Sequence, residues 1–251
     1  MRTLVKGIGS NEAHGVDTNQ AYEQVDPAKL KLEARIRRQY PLRWLSVDAA
    51  GKSFRVAKVA DPDLVFDEAI DEEKKLGKTP LEWQPYWAEA WESSLVLAQV
   101  VAELGCRNQR VLDLGCGVGV VGAIAAAHGA EVTMGDIALP GLLFCRLNVW
   151  DWQHRATIRR IDWEQDLLEA KFDTIANADV VYDRRNWPAL DRFWRNHLAP
   201  EGVVLVTEPN RTTGREFRAK IVEMGWILDG SLGIRRSAHS EVVISRLKRR
   251  Y

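Results

Sequence analysis

The sequence lacks the residues and segments that mark several classes of protein. Only three of the 251 residues are cysteine, no two of them form a Cys-x-x-Cys pair, and the five histidines show no metal-ligand spacing. We therefore expect neither a disulfide framework nor a bound metal. The first residues contain no apolar signal segment, and the longest apolar run, residues 118–127, is about half of what a membrane span needs. These absences predict a cytoplasmic protein with no membrane partner.

An excess of either charge is also absent. Lys plus Arg and Asp plus Glu both number 35, so the formal net charge is zero. A general attraction to nucleic acid or to anionic lipid is therefore not expected. Hydrophobic residues make up 46% of the chain, which at this length is enough for one large hydrophobic core.

Two sequence patterns meet near residue 80. Residues 1–80 predict an α+β extension, with a helix over 27–39, a β-hairpin over 43–60 around Ala-Gly, and an acidic helix after Pro62. A Gly-Lys-Thr-Pro turn then marks the boundary with a second domain at 81–251.

Strands and helices alternate in the second domain. A helix is predicted over Trp87–Leu104, and seven strands follow in total. Trp83, Trp87 and Trp91 are spaced four apart, so they share one helical face if the helix begins as early as Trp83. This alternation predicts an α/β fold with a doubly wound, mostly parallel sheet. No helix separates the last two strands, so we expect them to be antiparallel at one edge of the sheet.

The most informative segment is the glycine-rich turn in VLDLGCGVGVVG. Gly115, Gly117 and Gly119 follow a buried strand, and a helix is predicted to begin at about Val118. Glycines allow a ligand to approach the backbone closely at a helix N-terminus. Gly117, Gly119 and Gly122 also match the dinucleotide pattern Gly-x-Gly-x-x-Gly, so an NAD-dependent oxidoreductase is an alternative interpretation.

Acidic residues accompany three consecutive strands. Asp113 replaces an apolar residue within a strand, so it needs a partner, either a ligand amine or backbone N–H groups of the turn. Asp136 ends the second strand, where a carboxylate can accept both hydroxyls of a ribose or cap the next helix. Asp162 and Trp163 end the third strand, where they can bind an exocyclic amine and cover a purine. The pattern predicts a nucleoside pocket with an amino-acid-like group beside Asp113.

Taken together, these motifs resemble the class I S-adenosylmethionine (SAM)-dependent methyltransferases. VLDLGCGVG is similar to their first motif, GDI to the motif whose acidic residue binds the ribose, and IDW to their adenine-contacting motif. The segments PYWAEAWESSLVLAQ and ANADVVYD look like those of the seven-strand protein-lysine methyltransferases and the nicotinamide N-methyltransferase-like group. The resemblance implies a Rossmann-like methyltransferase sheet and SAM as the cofactor.

The resemblance, taken with the acids above, also implies roles for individual residues. It implies that Asp179 and Tyr182, the ends of a D-x-x-Y motif, are the catalytic residues at the acceptor lysine. Glu208-Pro-Asn-Arg211 resembles an acid-Pro-x-Arg stretch of the family. The expected cofactor-binding residues are Trp91, Asp113, Gly115, Cys116, Gly117, Gly119, Asp136, Asp162, Trp163 and Ala178.

The expected function is therefore SAM-dependent N-methylation of a lysine side chain in a protein. Two alternatives keep the cofactor: a small-molecule amine or pyridine as the acceptor, and an inactive SAM-binding partner subunit. Tyr86 is a further candidate for the acceptor site. Cys116 is not expected to be a nucleophile, because the sequence places no His or other base near it.

Overall fold

The amino-terminal part of the structure is a helix, a hairpin and a second helix. The computed structural model describes residues 26–77, 85–230, 232–236 and 240–250. Asp26 caps the first helix by accepting a hydrogen bond of 2.8 Å from the backbone N–H of Ala28. Ala50 and Gly51 both have positive φ, 46° and 76°. A two-residue hairpin turn needs these values to match the right-handed twist of the two strands that it joins. The elements in the structure are α1 (Pro27–Gln39), β1 (Leu42–Ala49), β2 (Lys52–Val59) and α2 (Pro62–Leu76), and they correspond to the predicted helix, hairpin and acidic helix.

The remaining described chain alternates strands and helices, as the sequence predicts. The strands are β3 (Arg110–Leu114), β4 (Glu131–Asp136), β5 (Ala156–Arg160), β6 (Phe172–Ala178), β7 (Leu198–Pro209), β8 (Trp226–Asp229), β9 (Ile234–Arg236) and β10 (Glu241–Arg249). The helices are α3 (Glu92–Leu104), α4 (Val120–Ala127), α5 (Leu139–Asn148), α6 (Trp187–His197) and α7 (Thr212–Glu223). None of the helices in these described ranges is long and apolar enough to cross a lipid bilayer.

One mostly parallel sheet forms the centre of the fold. Its strands lie in the order β5-β4-β3-β6-β7-β10-β8, and β10 runs antiparallel to both β7 and β8. This arrangement confirms the predicted seven-strand sheet and its antiparallel closing strands. The short strand β9, which pairs with β10, was not predicted. With only three residues, it carries too short a pattern to be recognised.

Both faces of the sheet are buried, as a doubly wound fold requires. Val111 of β3 belongs to the hydrophobic core on the side of α3, α4 and α5, whereas its neighbours Leu112 and Leu114 pack with α6 and α7. The same alternation continues in β7, where Val204 and Leu205 belong to opposite cores. The sheet therefore holds its strand ends rigidly in place.

The extension shares the first of these cores. Ile36 of α1, Val47 and Val56 of the hairpin are buried in it. The buried Asn148 side chain accepts a hydrogen bond of 2.6 Å from the N–H of Ala57 and donates to the carbonyls of Ala57 and Val118, at 2.9 and 2.8 Å. One amide therefore joins the hairpin to the glycine-rich turn. The boundary predicted at residue 80 lies outside the described residues, so the division into two domains stays a prediction.

The helix predicted from Trp87 begins later. Residues Pro85–Ala88 form a 3-10 turn, and α3 starts at Glu92 with Trp91 as its N-cap. The extended ψ of Trp91, 143°, interrupts the helical backbone. Trp87 and Trp91 consequently do not share a helical face, and Trp83 lies outside the described residues. The predicted tryptophan stripe is wrong because apolar spacing alone cannot reveal a break in the backbone.

Candidate active site

A cleft of about 930 Å³, open to solvent, lies where the parallel strands β3, β4, β5 and β6 end. Parallel strands bring their carboxyl ends to one edge of a sheet, where α/β proteins bind ligands. All of the predicted site residues except Gly119 line this cleft. They are Trp91, Asp113, Gly115, Cys116, Gly117, Asp136, Asp162, Trp163, Ala178, Asp179 and Tyr182.

In the glycine-rich turn, the backbone of Gly115 and Gly117 lines the cleft without a side chain. Gly115 and Gly117 have φ of 70° and 53°, in the left-handed region that favours glycine. A Cβ atom on Gly115 would lie only 2.7 Å from Cγ1 of Val180. The helix after the turn begins at Val120, two residues later than predicted, because the positive φ of Gly119 delays the first helical residue.

Asp113 is almost fully buried beneath this turn. Its Oδ2 accepts a hydrogen bond of 2.8 Å from the N–H of Gly122 in the first turn of α4. Of the two partners considered from sequence, a backbone N–H is therefore present. Burial, with a smaller contribution from nearby Asp136, raises the pKa of Asp113 to about 7.

Asp136 uses both carboxylate oxygens to accept hydrogen bonds from the backbone, and its role at a ribose stays a prediction. Its Oδ2 accepts a hydrogen bond of 2.8 Å from the N–H of Gly117, and its Oδ1 accepts one of 2.9 Å from the N–H of Ala138 before α5. Burial raises the pKa of this carboxyl group, and the backbone N–H groups oppose that rise. Each carboxylate oxygen can accept a second hydrogen bond, so capacity for a ligand's hydroxyls is left.

Asp162 and Trp163 form the far wall. Oδ1 of the buried Asp162 accepts a hydrogen bond of 3.0 Å from the N–H of Glu164, which fixes the carboxylate at the beginning of the loop after β5. The half-buried indole of Trp163 lies beside the turn, with its Cζ3 3.5 Å from a Cβ built on Gly115. A flat apolar wall and a carboxylate therefore stand together beside Gly115.

Asp179 occupies the other end of the cleft and has an unusual backbone. Its φ is 53°, in the left-handed region although it is not a glycine, and its N–H donates a 2.7 Å hydrogen bond to the carbonyl of Thr207. Its side chain is only 8% exposed, and Oδ1 accepts a hydrogen bond of 3.2 Å from Nη1 of Arg211. Burial raises the pKa of Asp179, while the guanidinium of Arg211 lowers it. Arg211 therefore favours the carboxylate form.

Three aromatic rings extend from Asp179 to the extension. The ring of Tyr182 lies 5.4 Å from that of Tyr86, which in turn lies 5.9 Å from Phe66 of α2. Burial, together with Tyr86, raises the pKa of Tyr182 to about 12, so its phenol stays protonated at neutral pH. Both tyrosines are partly exposed, and they present ring surface at the mouth of the cleft.

Comparison with known proteins identifies the family. A family model described as lysine methyltransferase matches residues 86–223, more than half of the chain. The chain belongs to the lysine methyltransferase family. Protein N-lysine methyltransferase METTL21A of Xenopus tropicalis is 33% identical over 128 residues, which are 48% of this chain and 59% of the relative. EEF1A lysine methyltransferase 3 of Mus musculus is 27% identical over 175 residues, 62% of this chain and 73% of the relative.

A solved structure shows the same fold in a more distant protein. N-methyltransferase NodS from Bradyrhizobium japonicum, in complex with S-adenosyl-L-homocysteine, superposes with a TM-score of 0.53 at 17% identity. The match covers 73% of this chain and 98% of NodS. The chain thus has a class I methyltransferase fold. Its alignment with METTL21A of Xenopus tropicalis spans less than two thirds of that relative.

Gly119 has a packing role in this member of the family. A Cβ on it would overlap Cε of Met134 and lie 2.8 Å from Sγ of Cys145, so a side chain there would push α4 away from β4 and α5. It does not line the cleft. The sequence pattern could not separate the two functions, because a close approach of protein or of ligand requires glycine equally.

Cys116 has a neutral thiol. Its Sγ lies 3.6 Å from Sγ of Cys145, and both residues are buried and free. Burial raises the pKa of Cys116 well above its ordinary value, which disfavours the nucleophilic thiolate. Within the described ranges, no group of three His, Cys, Asp or Glu side chains could hold a metal.

Two features of the cleft were missed by sequence reasoning. Glu89 lines it and accepts a hydrogen bond from Lys58, a 4% exposed lysine on the hairpin strand β2. No local pattern connects these residues, because 31 positions separate them. The ion pair of Arg211 with Asp179 was missed as well. The acid-Pro-x-Arg stretch marked Arg211, but gave no indication of its partner.

Proposed function

We propose that this chain transfers the methyl group of SAM to the ε-amine of a lysine in a protein. Its family and the names of its relatives support this reaction. The observation that carries the proposal is that Asp179 and Tyr182 border the same cleft as Asp113, Asp136 and Trp163. A nucleoside pocket and an amine site therefore share one cavity.

The residues present fit the cofactor. Gly115 and Gly117 offer bare backbone, Asp136 retains acceptor capacity for a ribose, and Trp163 offers a flat apolar surface. When bound, SAM supplies an electrophilic methyl group whose leaving group is a neutral thioether. The residues that we expect to hold it are Trp91, Asp113, Gly115, Cys116, Gly117, Asp136, Asp162, Trp163 and Ala178.

The acceptor end must deliver a neutral amine. A lysine side chain has a pKa of about 10.4 in water, and removal from water beside the rings of Tyr86 and Tyr182 lowers it. Asp179 accepts a hydrogen bond from the amine and so orients its lone pair towards the cleft. Tyr182 has a pKa of about 12 and is already protonated, so it takes no proton from the amine, which loses its proton to water.

A labelling experiment with Asp179→Asn tests this assignment. Purified protein is incubated with cell lysate and SAM carrying a labelled methyl group, and the products are identified by mass spectrometry. We expect label on protein lysine, and a kcat about 100-fold lower in D179N because a neutral amide holds and orients the amine less firmly than a carboxylate does. The SAM affinity of D179N should change by less than about threefold, since we assign Asp179 to the acceptor.

The control for this experiment is Asp183→Asn. It makes the same chemical change in the same loop, but the Asp183 carboxylate pairs with Arg185 instead. Its kcat should stay within about twofold of wild type. Label in small amines or pyridines would contradict the protein acceptor. SAM binding without any transfer would instead indicate an inactive partner subunit.

We propose the cytoplasm as the compartment in which this protein works. Cys106, Cys116 and Cys145 are all free and buried, as is usual where thiols are kept reduced.

A further inference from the structure

A basic groove lies outside the cleft, between α1, α5 and the edge strand β5. Two adjoining surface depressions of about 700 and 1070 Å³, open to solvent, share Arg35, Arg146 and Ile158 in their linings. Lys31 lines one depression, and Arg159 and Arg160 line the other. Among the described residues that line either depression, none is acidic. We call this continuous surface the basic groove.

The cations of the basic groove are exposed, and four of them lack a local partner. Lys31, Arg35, Arg146 and Arg159 form no ion pair with any described residue, whereas two other cations of α1 do. Lys29 pairs with Asp151 at 2.9 Å, and Arg37 pairs with Glu33 at 2.6 Å. The two acids that pair with cations of α1 are therefore engaged with residues outside the groove.

The overall charge does not explain this surface. The chain has a net charge of zero, so a groove of one sign requires an uneven distribution of charge. Protection of a sheet edge by cations would account for Arg159, because β5 pairs only with β4 among the described strands. It does not account for Arg35 or Arg146, which come from two different helices and line both depressions.

Apolar side chains lie between the cations. Leu139 is 59% exposed, and Leu143 and Ile158 are partly buried beside it. Proteins that bind single-stranded nucleic acid interleave cations with aromatic stacking surfaces, and here Trp150 is the one aromatic residue among the described lining. Carboxylates spaced by aliphatic side chains match the groove better than phosphates and bases do.

We propose that the basic groove is a docking site for an acidic polypeptide segment with aliphatic side chains. Carboxylates of the segment pair with Arg35, Arg146 and Arg159, and its aliphatic side chains cover Leu139 and Ile158. The groove shares no lining residue with the cleft. The docking site therefore does not depend on the proposed methyl transfer, and each can fail without the other.

Binding of a labelled peptide tests the docking site. The probe is a fluorescein-labelled peptide of about fifteen residues composed of Glu, Asp and Leu, followed by anisotropy at about 50 mM salt, where charge pairs are weakly screened. We expect saturable binding to the wild-type chain, weakened at least about tenfold by the double variant R35E/R146E. The control R38E/R107E makes the same charge change at two exposed arginines outside the groove and should stay within about twofold.

The neutral variant R35Q/R146Q replaces the charge reversal if R35E/R146E unfolds, and we expect it to weaken binding about threefold or more. Three results would overturn the proposal: no saturable binding to wild type, equal binding by the groove and control variants, or tighter binding of a single-stranded RNA of the same length. Unchanged SAM affinity in R35E/R146E would show that the cleft is intact.

Discussion

The two ends of the cleft, which we propose bind the nucleoside and the acceptor, are built in different ways. At the nucleoside end, backbone N–H groups of Gly117 and Gly122 hold the carboxylates of Asp136 and Asp113, each at 2.8 Å. At the acceptor end, side chains hold side chains, as in the pair of Arg211 with Asp179 and the contact of Phe66 with Tyr86. A backbone-built site tolerates little change in shape. A site built from side chains can be altered one contact at a time, which suits the end that must distinguish acceptors.

The largest effect should follow a substitution in the backbone-built end. In Gly115→Ala the new Cβ would lie 2.7 Å from Val180, at a φ of 70° that alanine resists. We expect SAM affinity, measured by calorimetry, to fall about 100-fold, which corresponds to about 2.7 kcal/mol. Gly51→Ala is the control, because its φ is 76° and nothing lies within 4 Å of the new Cβ. Equal losses in both variants would mean that backbone strain alone is responsible.

An intermediate effect should follow Arg211→Gln at the other end. Arg211 lowers the pKa of Asp179, so its removal raises that pKa and the active carboxylate is lost at a higher pH. We expect kcat/KM to fall about tenfold at pH 6 and by less than about threefold at pH 8.5. Below the pKa, a rise of one pKa unit lowers the fraction of Asp179 in the carboxylate form about tenfold. Arg211→Lys, which restores the charge, should recover part of the loss at pH 6. If the pH profiles of wild type and R211Q are parallel, Arg211 does not control the protonation of Asp179 during the reaction.

A smaller effect should come from Phe66→Ala on α2. This change removes the ring that packs on Tyr86, so Tyr86 loses its fixed position at the mouth of the cleft. We expect KM for the protein acceptor to rise about fivefold, with SAM affinity unchanged. Leu64→Ala on the same helix is the control, because Leu64 is 51% exposed. If F66A and L64A behave alike, the extension does not shape the acceptor end.

The smallest effect should come from Tyr182→Phe. The pKa of Tyr182 is about 12, so its hydroxyl remains protonated and we assign it no proton transfer. Only the ring is required, and kcat should stay within about twofold from pH 7 to pH 9. A loss of tenfold or more across that range would show that the hydroxyl takes part in the chemistry.

The same difference between the two ends decides what could be predicted. Asp113, the glycines and Asp136 lie within 24 consecutive residues, in or directly after strands whose direction the pattern indicates. Their convergence is therefore a consequence of the parallel sheet. The contact between Phe66 and Tyr86 joins the extension to the cleft across residues that carry no shared motif. Arg211 and Asp179 meet because β6 and β7 are neighbours, which fixes only the strand ends and not the side-chain pairing.

The start of α3 and the position of Gly119 show a second limit. Apolar spacing continues across Trp87 and Trp91, although the backbone between them is not α-helical. The glycine pattern likewise does not distinguish a residue that contacts a ligand from one that packs against Met134 and Cys145. In both cases the residue types are correct, and only the three-dimensional packing assigns their functions.

The amide of Asn148 has a consequence for any attempt to shorten this protein. A fragment beginning after residue 80 would keep every methyltransferase motif, yet it would lose both hydrogen bonds between Asn148 and Ala57. Each buried polar group left without a partner costs about 1–3 kcal/mol. The same amide also supports the carbonyl of Val118 behind the glycine-rich turn. A stable fragment must therefore be longer than the region that holds the motifs, and it must retain the hairpin.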